Sequence, residues 1–516
     1  MLTKSHLLSA RQCPRQLWLN HHRPDLIPRD HPATWRRAND GRIVGERARA
    51  ALGPGVWWPP GNPDPVAAAA TALEELRANP ATTAVEFPAV AGPLYIRADT
   101  LIPVPGGYLL SETKAKTFPL KKDKVTPDKP EDHLVDDVAI QLWTLTNAGV
   151  PVPRAELNLL DGRWRYPGNG DYRGLFRTLD VTGEARVRTA RVPAWVAEAE
   201  AILAGPMPAV ATGSQCRSPH VCPFITFCRP LDPPGPEHPL DLLPDTAGKN
   251  LARKLHAAKG YTSLLEPEQA ELTGKQAPLY RRMQRAHRTG TAIREAGSRQ
   301  ILAAYPYPRY YLDFEAIDLA VPRWPGVRPY EHIPFQWSCH IERAPGVFEH
   351  AEFLDLSGED PSRVFAAALA GTIDARDGGP IFVYNATYER LRLNELAERH
   401  PDVADAMHGY AGRLVDLLPL VRDHYYHPAM RGSFSIKKVL PVVAPDLDYG
   451  ELDEVQEGTG AQVAYLYAAL DPAVTPARRA DLETKLRRYC QQDTWAMVEI
   501  AHFLAEGERP RRPAGG

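Results

Sequence analysis

Four cysteines constrain this chain more than any other feature, because they ask two distant stretches to meet. Three of them, Cys216, Cys222 and Cys228, lie in GSQCRSPHVCPFITFC with five residues between successive members, and Cys13 stands 203 positions before the first. The opening residues MLTKSHLLSARQCPRQLWLN carry no long apolar segment, and no apolar run reaches membrane-spanning length. A soluble cytoplasmic protein is therefore expected, and in that compartment clustered thiols read as metal ligands or redox groups, not disulfides. One upstream ligand and a downstream trio can converge on a four-iron four-sulfur cluster, closing a large loop of chain. A four-cysteine zinc site is the alternative, since spacing alone does not identify the metal. Cys339 and Cys490 stand alone and read as core thiols.

The 516 residues suggest about three units. A helix is expected around Cys13 and another over 42–52. Residues 81–110 read as antiparallel strands broken at Gly92-Pro93 and Gly106-Gly107, with 111–116 continuing the last of them. A helix over 136–149 follows. The proline-rich, acidic stretch 232–244 marks a boundary, and the basic helical stretch 248–305 reads as a connector. A strand at YYLDFEAID, a strand over 379–384, a helix over 387–398 and a long helix over 480–504 describe an α/β domain. The expected organisation is an N-terminal domain over 1–232, a helical connector over 233–302, an α/β domain over 303–506 and a disordered tail over 507–516.

Two sets of acids carry candidate chemistry. On a strand, residues two apart share a face, so Glu112 and Lys114 would stand side by side, with Asp99 on a neighbouring strand able to join them. Two carboxylates can hold a divalent cation that polarises a phosphoryl oxygen, while a lysine stabilises developing charge. Taken alone, Glu-x-Lys is also an ordinary surface alternation of opposite charges. In the second half, Asp313 and Glu315 again sit two apart, and Tyr489 and Asp493 sit four apart on one helix face. Glu389 follows Asn385 at the start of a helix. Converging acids repel one another unless cations occupy the site, so magnesium or manganese is the expected occupant.

These motifs resemble known families. KSHLLSARQCPRQLWL and the cysteine trio resemble bacterial RecB-like nucleases, related to the iron-sulfur nucleases of CRISPR adaptation and to the AddB helicase-nuclease subunit. In those families four such cysteines hold an iron-sulfur cluster. Asp99, then Glu112-x-Lys114, then Gln141 resembles the PD-(D/E)xK signature, with Glu86 at an acidic position these proteins often carry. The chain departs from the family in two places. Five residues rather than two separate Cys216 from Cys222, and Gly45 and Glu46 stand where many members have histidine.

Asp313, Glu315, Glu389, Tyr489 and Asp493 resemble the DEDD exonuclease superfamily in its tyrosine-containing version, with glutamate at position 389 where aspartate is usual. The resemblance implies that Asp313, Glu315, Glu389 and Asp493 bind metal and that Tyr489 orients the attacking water. Asp416 and Lys437 are further candidates, as a supporting acid and a phosphate contact. The whole arrangement resembles bacterial proteins of unknown function in which a RecB-like domain precedes an RNase H-like one. The implied fold is a restriction-endonuclease-like PD-(D/E)xK domain with its iron-sulfur cluster, the helical connector, and an RNase H-like (DnaQ-type) α/β domain.

The net charge of −2 neither supports nor excludes a polynucleotide substrate, because carboxylate-rich metal sites offset basic grooves in the total. The expectation is a metal-dependent nuclease acting on nucleic acid, DNA ahead of RNA, with 3'-to-5' exonuclease action in the C-terminal domain and a role in repair, recombination or defence. A nucleic-acid-binding module with degenerate sites and an RNA-processing nuclease are the alternatives, and no membrane partner is expected.

Overall fold

The computed structural model describes every residue except 29–31, 375, 448–454, 456–457, 508 and 511–516. The chain divides into two units, Met1–Pro233 with Asp318–Glu331, and Pro234–Ile317 with His332–Gly516.

The first unit opens with β1 (Leu2–Thr3), α1 (Lys4–Gln12) and α2 (Pro14–His22). The single helix expected around Cys13 is thus two. Pro14 has no N–H to continue α1 and disfavours helical backbone at the residue before it, so Cys13 is extended at φ −163°, ψ 122°. Next come α3 (Pro32–Ala50), α4 (Pro65–Ala78), β2 (Ala84–Ala91), β3 (Leu94–Val104) and β4 (Gly107–Thr117). The unit continues through α5 (Asp132–Asn147), β5 (Arg154–Leu160), β6 (Phe176–Asp180), α6 (Thr182–Thr189), α7 (Val192–Ala204) and the short α8 (Ile225–Cys228).

Its sheet runs β1-β3-β4-β5-β6, with β2 also on β3. The β2–β3–β4 meander is antiparallel as expected, while β1 joins β3 and β5 joins β4 in parallel. At the β3–β4 turn Gly107 has φ 146°, and a Cβ there would collide with the Pro151 carbonyl, so only glycine fits. Phe87, Leu94, Ile96 and Leu110 of the sheet pack with Leu7, Leu76, Val138 and Trp195 from the helices.

Asp318–Glu331, expected within the C-terminal domain, belongs instead to the first unit. Tyr330 Oη donates to the Ala115 carbonyl at 2.6 Å, Tyr172 Oη to that of Pro322 at 3.1 Å, and Ala320 and Val321 pack with Val44 and Leu160.

The second unit holds α9 (Asp245–Lys259), α10 (Ala277–Thr289), β7 (Ile293–Arg294), α11 (Gly297–Ala303), β8 (Arg309–Asp318), β9 (His332–Ala344) and β10 (Val347–Leu354). It continues with α12 (Ser362–Thr372), β11 (Ile381–Val383), α13 (Thr387–Arg399), α14 (Ala404–Arg413), β12 (Leu414–Asp416) and α15 (Leu417–His424). β13 (Tyr425–Tyr426), α16 (Ile436–Val443), α17 (Gly458–Tyr465) and α18 (Pro476–Glu506) complete it. The expected connector over 233–302 is no spacer: Leu255, Leu279, Met283 and Leu302 share one core with Tyr311, Phe382 and Trp495. Of the expected tail, Arg509 pairs with Glu499 at 2.9 Å, while 508 and 511–516 lie outside the described residues.

The five-stranded sheet is ordered β10-β9-β8-β11-β12, antiparallel between β9 and β10 and parallel from β8 through β12. Alternation along the central β8 divides its side chains. Tyr310, Leu312 and Phe314 enter the core with α12–α14, and Tyr311 enters the core with α16 and α18. Asp313 and Glu315 share the parity of Tyr311.

Phe87 is fully buried in β2. Phe87→Ala is expected to cost about 3–5 kcal/mol, read as a lowered urea midpoint for the first unit with the native circular dichroism retained.

Candidate active site

Three elements of the second unit bring the predicted acids together. β8 supplies Asp313 and Glu315, and α18 supplies Tyr489 and Asp493 from one face. The register of α18 is held by Gln336 Nε2, which donates to the Leu486 carbonyl at 2.8 Å, and by the Thr494 hydroxyl, bonded to Ser338 Oγ and His340 Nδ1 at 2.8 Å each. Glu389 comes from the first turn of α13. Asp416 anchors the chain entering that helix by accepting the Asn385 and Ala386 N–H groups at 2.9 and 3.0 Å, and it also caps α15 through the Leu418 N–H. Its carboxylate is thus occupied by backbone, which makes it a positioning group.

Ligand atoms of Asp313, Glu315 and Asp493 all lie within 4.8 Å of one another, the one such trio of possible metal ligands among the described residues. Burial, followed by the charges of Asp493, Glu315 and Glu389, holds the Asp313 carboxyl far above its ordinary range. Burial and Asp493 push Glu315 up to about 8 against the opposing pull of Lys437. Glu389 is pushed up to about 8, first by burial and then by Asp416, and its Oε2 is buried with no hydrogen-bond partner. Lys437 Nζ donates to Tyr489 Oη at 3.2 Å and so meets the phenol, not a distant surface. Hard oxygen donors, crowded and shifted toward their protonated forms, fit a divalent ion that would take the place of the protons.

Cys490, read from the sequence as a core thiol, is buried against this site, with Sγ donating to the Asp313 carbonyl at 3.8 Å. Burial and the neighbouring acids raise its thiol well above the usual range. Cys339 is buried too, and its thiol is pushed up to about 12.

The first unit brings together Asp99, Glu112, Lys114 and Gln141. Pairing of Thr100 with Ser111 sets Asp99 beside Glu112, and Asp99 accepts the Thr113 N–H at 2.9 Å. Glu112 accepts Lys114 Nζ at 2.6 Å and Gln141 Nε2 at 2.7 Å. Two further members escaped the sequence reading. Asp137 accepts from Lys114 at 2.7 Å and from Gln141 at 2.8 Å, and Lys4 Nζ lies 2.9 Å from both Glu112 and Asp137. Asp137 stands four residues before Gln141 and so was legible from helical spacing. Lys4 carried no such signal, because only the β1–β3 pairing brings it here.

Burial and the adjacent Glu112 push Asp99 up to about 7. Burial alone would raise Asp137, but the ammoniums of Lys114 and Lys4 outweigh it and hold that carboxyl far below its usual range. Two lysines therefore already balance Glu112 and Asp137. Gln141 Oε1, buried without a hydrogen-bond partner, is the acceptor left over. Glu86 is not in this network: it drops out of the β2–β3 pairing with φ 49° and lies 3.4 Å from both Arg49 and Arg97.

All four predicted cysteines are buried in the first unit. Cys216, Cys222 and Cys228 pack with Leu19 and Phe224, and the Cys222 N–H donates to the Cys216 carbonyl at 2.9 Å. Burial, with smaller contributions from Cys13, Cys216 and Cys228, pushes the Cys222 thiol up to about 11. No three of these sulfurs fall within 4.8 Å of one another. Tetrahedral zinc at about 2.3 Å from each sulfur sets sulfurs about 3.8 Å apart, so the thiols are not preformed for that ion. The donor set, four soft thiols, is of the chemical kind that iron-sulfur clusters and soft cations use.

Raised carboxyls in the second unit stabilise the metal-free fold below about pH 4, the ordinary carboxylate range, and that stability is lost as pH rises through about 8. The metal-free Tm is expected to fall across pH 5–8.5, and manganese to raise Tm more at pH 8 than at pH 5. Equal metal-induced shifts at the two pH values would contradict the assignment.

No helix among the described residues is long and apolar enough to cross a membrane. A family model described as a domain of unknown function (DUF2779) matches residues 310–435, a span that contains Asp313, Glu315 and Glu389 and stops before Tyr489 and Asp493. No curated protein matches the chain.

Proposed function

We propose that the chain is a divalent-metal-dependent nuclease whose principal active site is the acid cluster of the second unit. The observation that carries this reading is the mutual approach of Asp313, Glu315 and Asp493 within 4.8 Å, with the unpartnered Glu389 Oε2 beside a strongly acidic environment. A divalent cation bound there supplies Lewis acidity and water ionised near neutral pH. Asp313, Glu315, Asp493 and Glu389 are the groups that would hold it, and Tyr489, fixed by Lys437, would orient the water. A central strand flanked by an antiparallel hairpin on one side and parallel strands on the other supports the RNase H-like reading of this unit.

For the first unit, the grouping of Asp99, Glu112, Lys114 and Gln141 supports the PD-(D/E)xK reading. The balance of two lysines against Glu112 and Asp137 also favours a second reading for this site alone, in which it binds a strand and does not cut it. The four buried cysteines support an iron-sulfur cluster in the same unit.

Labelled single-stranded DNA incubated with magnesium or manganese is expected to be degraded. Asp313→Ala should lower the rate by at least about a hundredfold, whereas Glu112→Ala should leave most of it if the first site only binds. Failure to cut DNA or RNA with any divalent metal sinks the catalytic reading.

Protein purified without oxygen is expected to be brown, with broad visible absorption that bleaches on reduction. Colourless protein holding stoichiometric zinc would overturn the cluster.

A further inference from the structure

The second unit has an open pocket of about 670 Å³ that none of the roles above uses. Its walls include Lys249, Arg422, Arg431, Ser433, Tyr384 and Phe434. Such a volume suits a nucleotide. Three cations face one carboxylate, Asp245, which pairs with Arg422. The other two donate to backbone carbonyls: Lys249 to that of Asp241, and Arg431 Nη1 to that of Glu237 at 2.8 Å. Each retains further N–H donors for an anion.

The pocket is built rather than incidental. Gly432, at φ 77°, passes so close to Leu242 that any Cβ would strike its carbonyl, and this brings the 431–436 loop against the segment before α9. Tyr384 Oη donates to the Phe434 carbonyl at 2.6 Å, and the Arg422 guanidinium lies 5.5 Å from the Phe434 ring centroid. The wall thus combines aromatic surface with positive charge. It is linked to the acid cluster through the chain: Ile436 lines the pocket, and the next residue, Lys437, reaches Tyr489. Asn385, which also lines it, precedes the helix that carries Glu389.

We propose that this pocket binds a backbone phosphate of a polynucleotide strand, with the attached nucleoside against Tyr384 and Phe434, a short distance along the strand from the bond at the acid cluster. The proposal rests on the nuclease reading, and it assigns substrate grip to Lys249 and Arg431. Phosphates are held by such cations with release of counterions, so the contact must appear in the salt dependence of binding.

The test measures binding without chemistry. In an Asp313→Asn background without divalent metal, anisotropy of a labelled single-stranded DNA oligonucleotide reports Kd. Lys249→Gln with Arg431→Gln is expected to weaken Kd about tenfold and to flatten the slope of log K against log salt by about 1.4, at about 0.7 per phosphate contact. Lys249→Gln alone, at an exposed position, should flatten the slope by about 0.7, and Lys249→Arg should bind like its parent. An unchanged Kd and slope in both glutamine variants overturn the pocket. So does weaker binding of deoxyadenosine monophosphate with no change for the oligonucleotide, since that assigns the pocket to a free nucleotide. Absence of cleavage by the unsubstituted chain counts against the nuclease reading alone, because affinity is read independently of it.

Discussion

Repulsion among carboxylates organises the second unit. Asp313 and Glu315 project from the same face of the central strand, Asp493 approaches from α18, and Glu389 from the start of α13. Removing these groups from water raises the cost of ionising them, and each additional charge raises it further. Lys437 opposes that cost at Glu315, and the surrounding fold holds the acids in place. It does so with a helix pinned through Gln336, Ser338 and His340, and with Asp416 clamping the chain that enters α13. The proposed cation site rests on this arrangement.

The first unit resolves the same problem in another way. Lys4 and Lys114 bridge Glu112 and Asp137, so the charges there compensate one another within the protein. Asp99, in contrast to Asp137, is shifted toward its neutral form. A cation entering this network has to compete with two ammonium groups. The two acidic sites therefore differ in kind, although the sequence presents both as pairs of acids on strands.

Basic residues follow a similar division. Many lysines and arginines along 248–305 look like a solvated helical face in sequence. In the fold Arg282 is buried and pairs with Glu295, whereas Lys249 donates to a backbone carbonyl and lines an open pocket. Charge that is locally satisfied builds the unit, and charge that is not offers a surface to an anion.

Local chemistry was readable from the chain. Alternation and turn residues marked β2 to β4, the two-residue spacing put Asp313 with Glu315, and the four-residue spacing put Tyr489 with Asp493 on one helix face. What could not be read depends on partners brought from far away. Lys4 joins the first site because β1 pairs with β3, and Glu86 leaves it because a left-handed backbone and two arginines draw it elsewhere. Residues 233–302 looked like a spacer because their apolar faces have no visible counterpart in sequence, yet they complete the core of the second unit. Periodicity and residue type act over a few positions and so are written in the sequence. Which charges are neutralised, and which remain to attract a ligand, is a property of distances that only the tertiary fold sets.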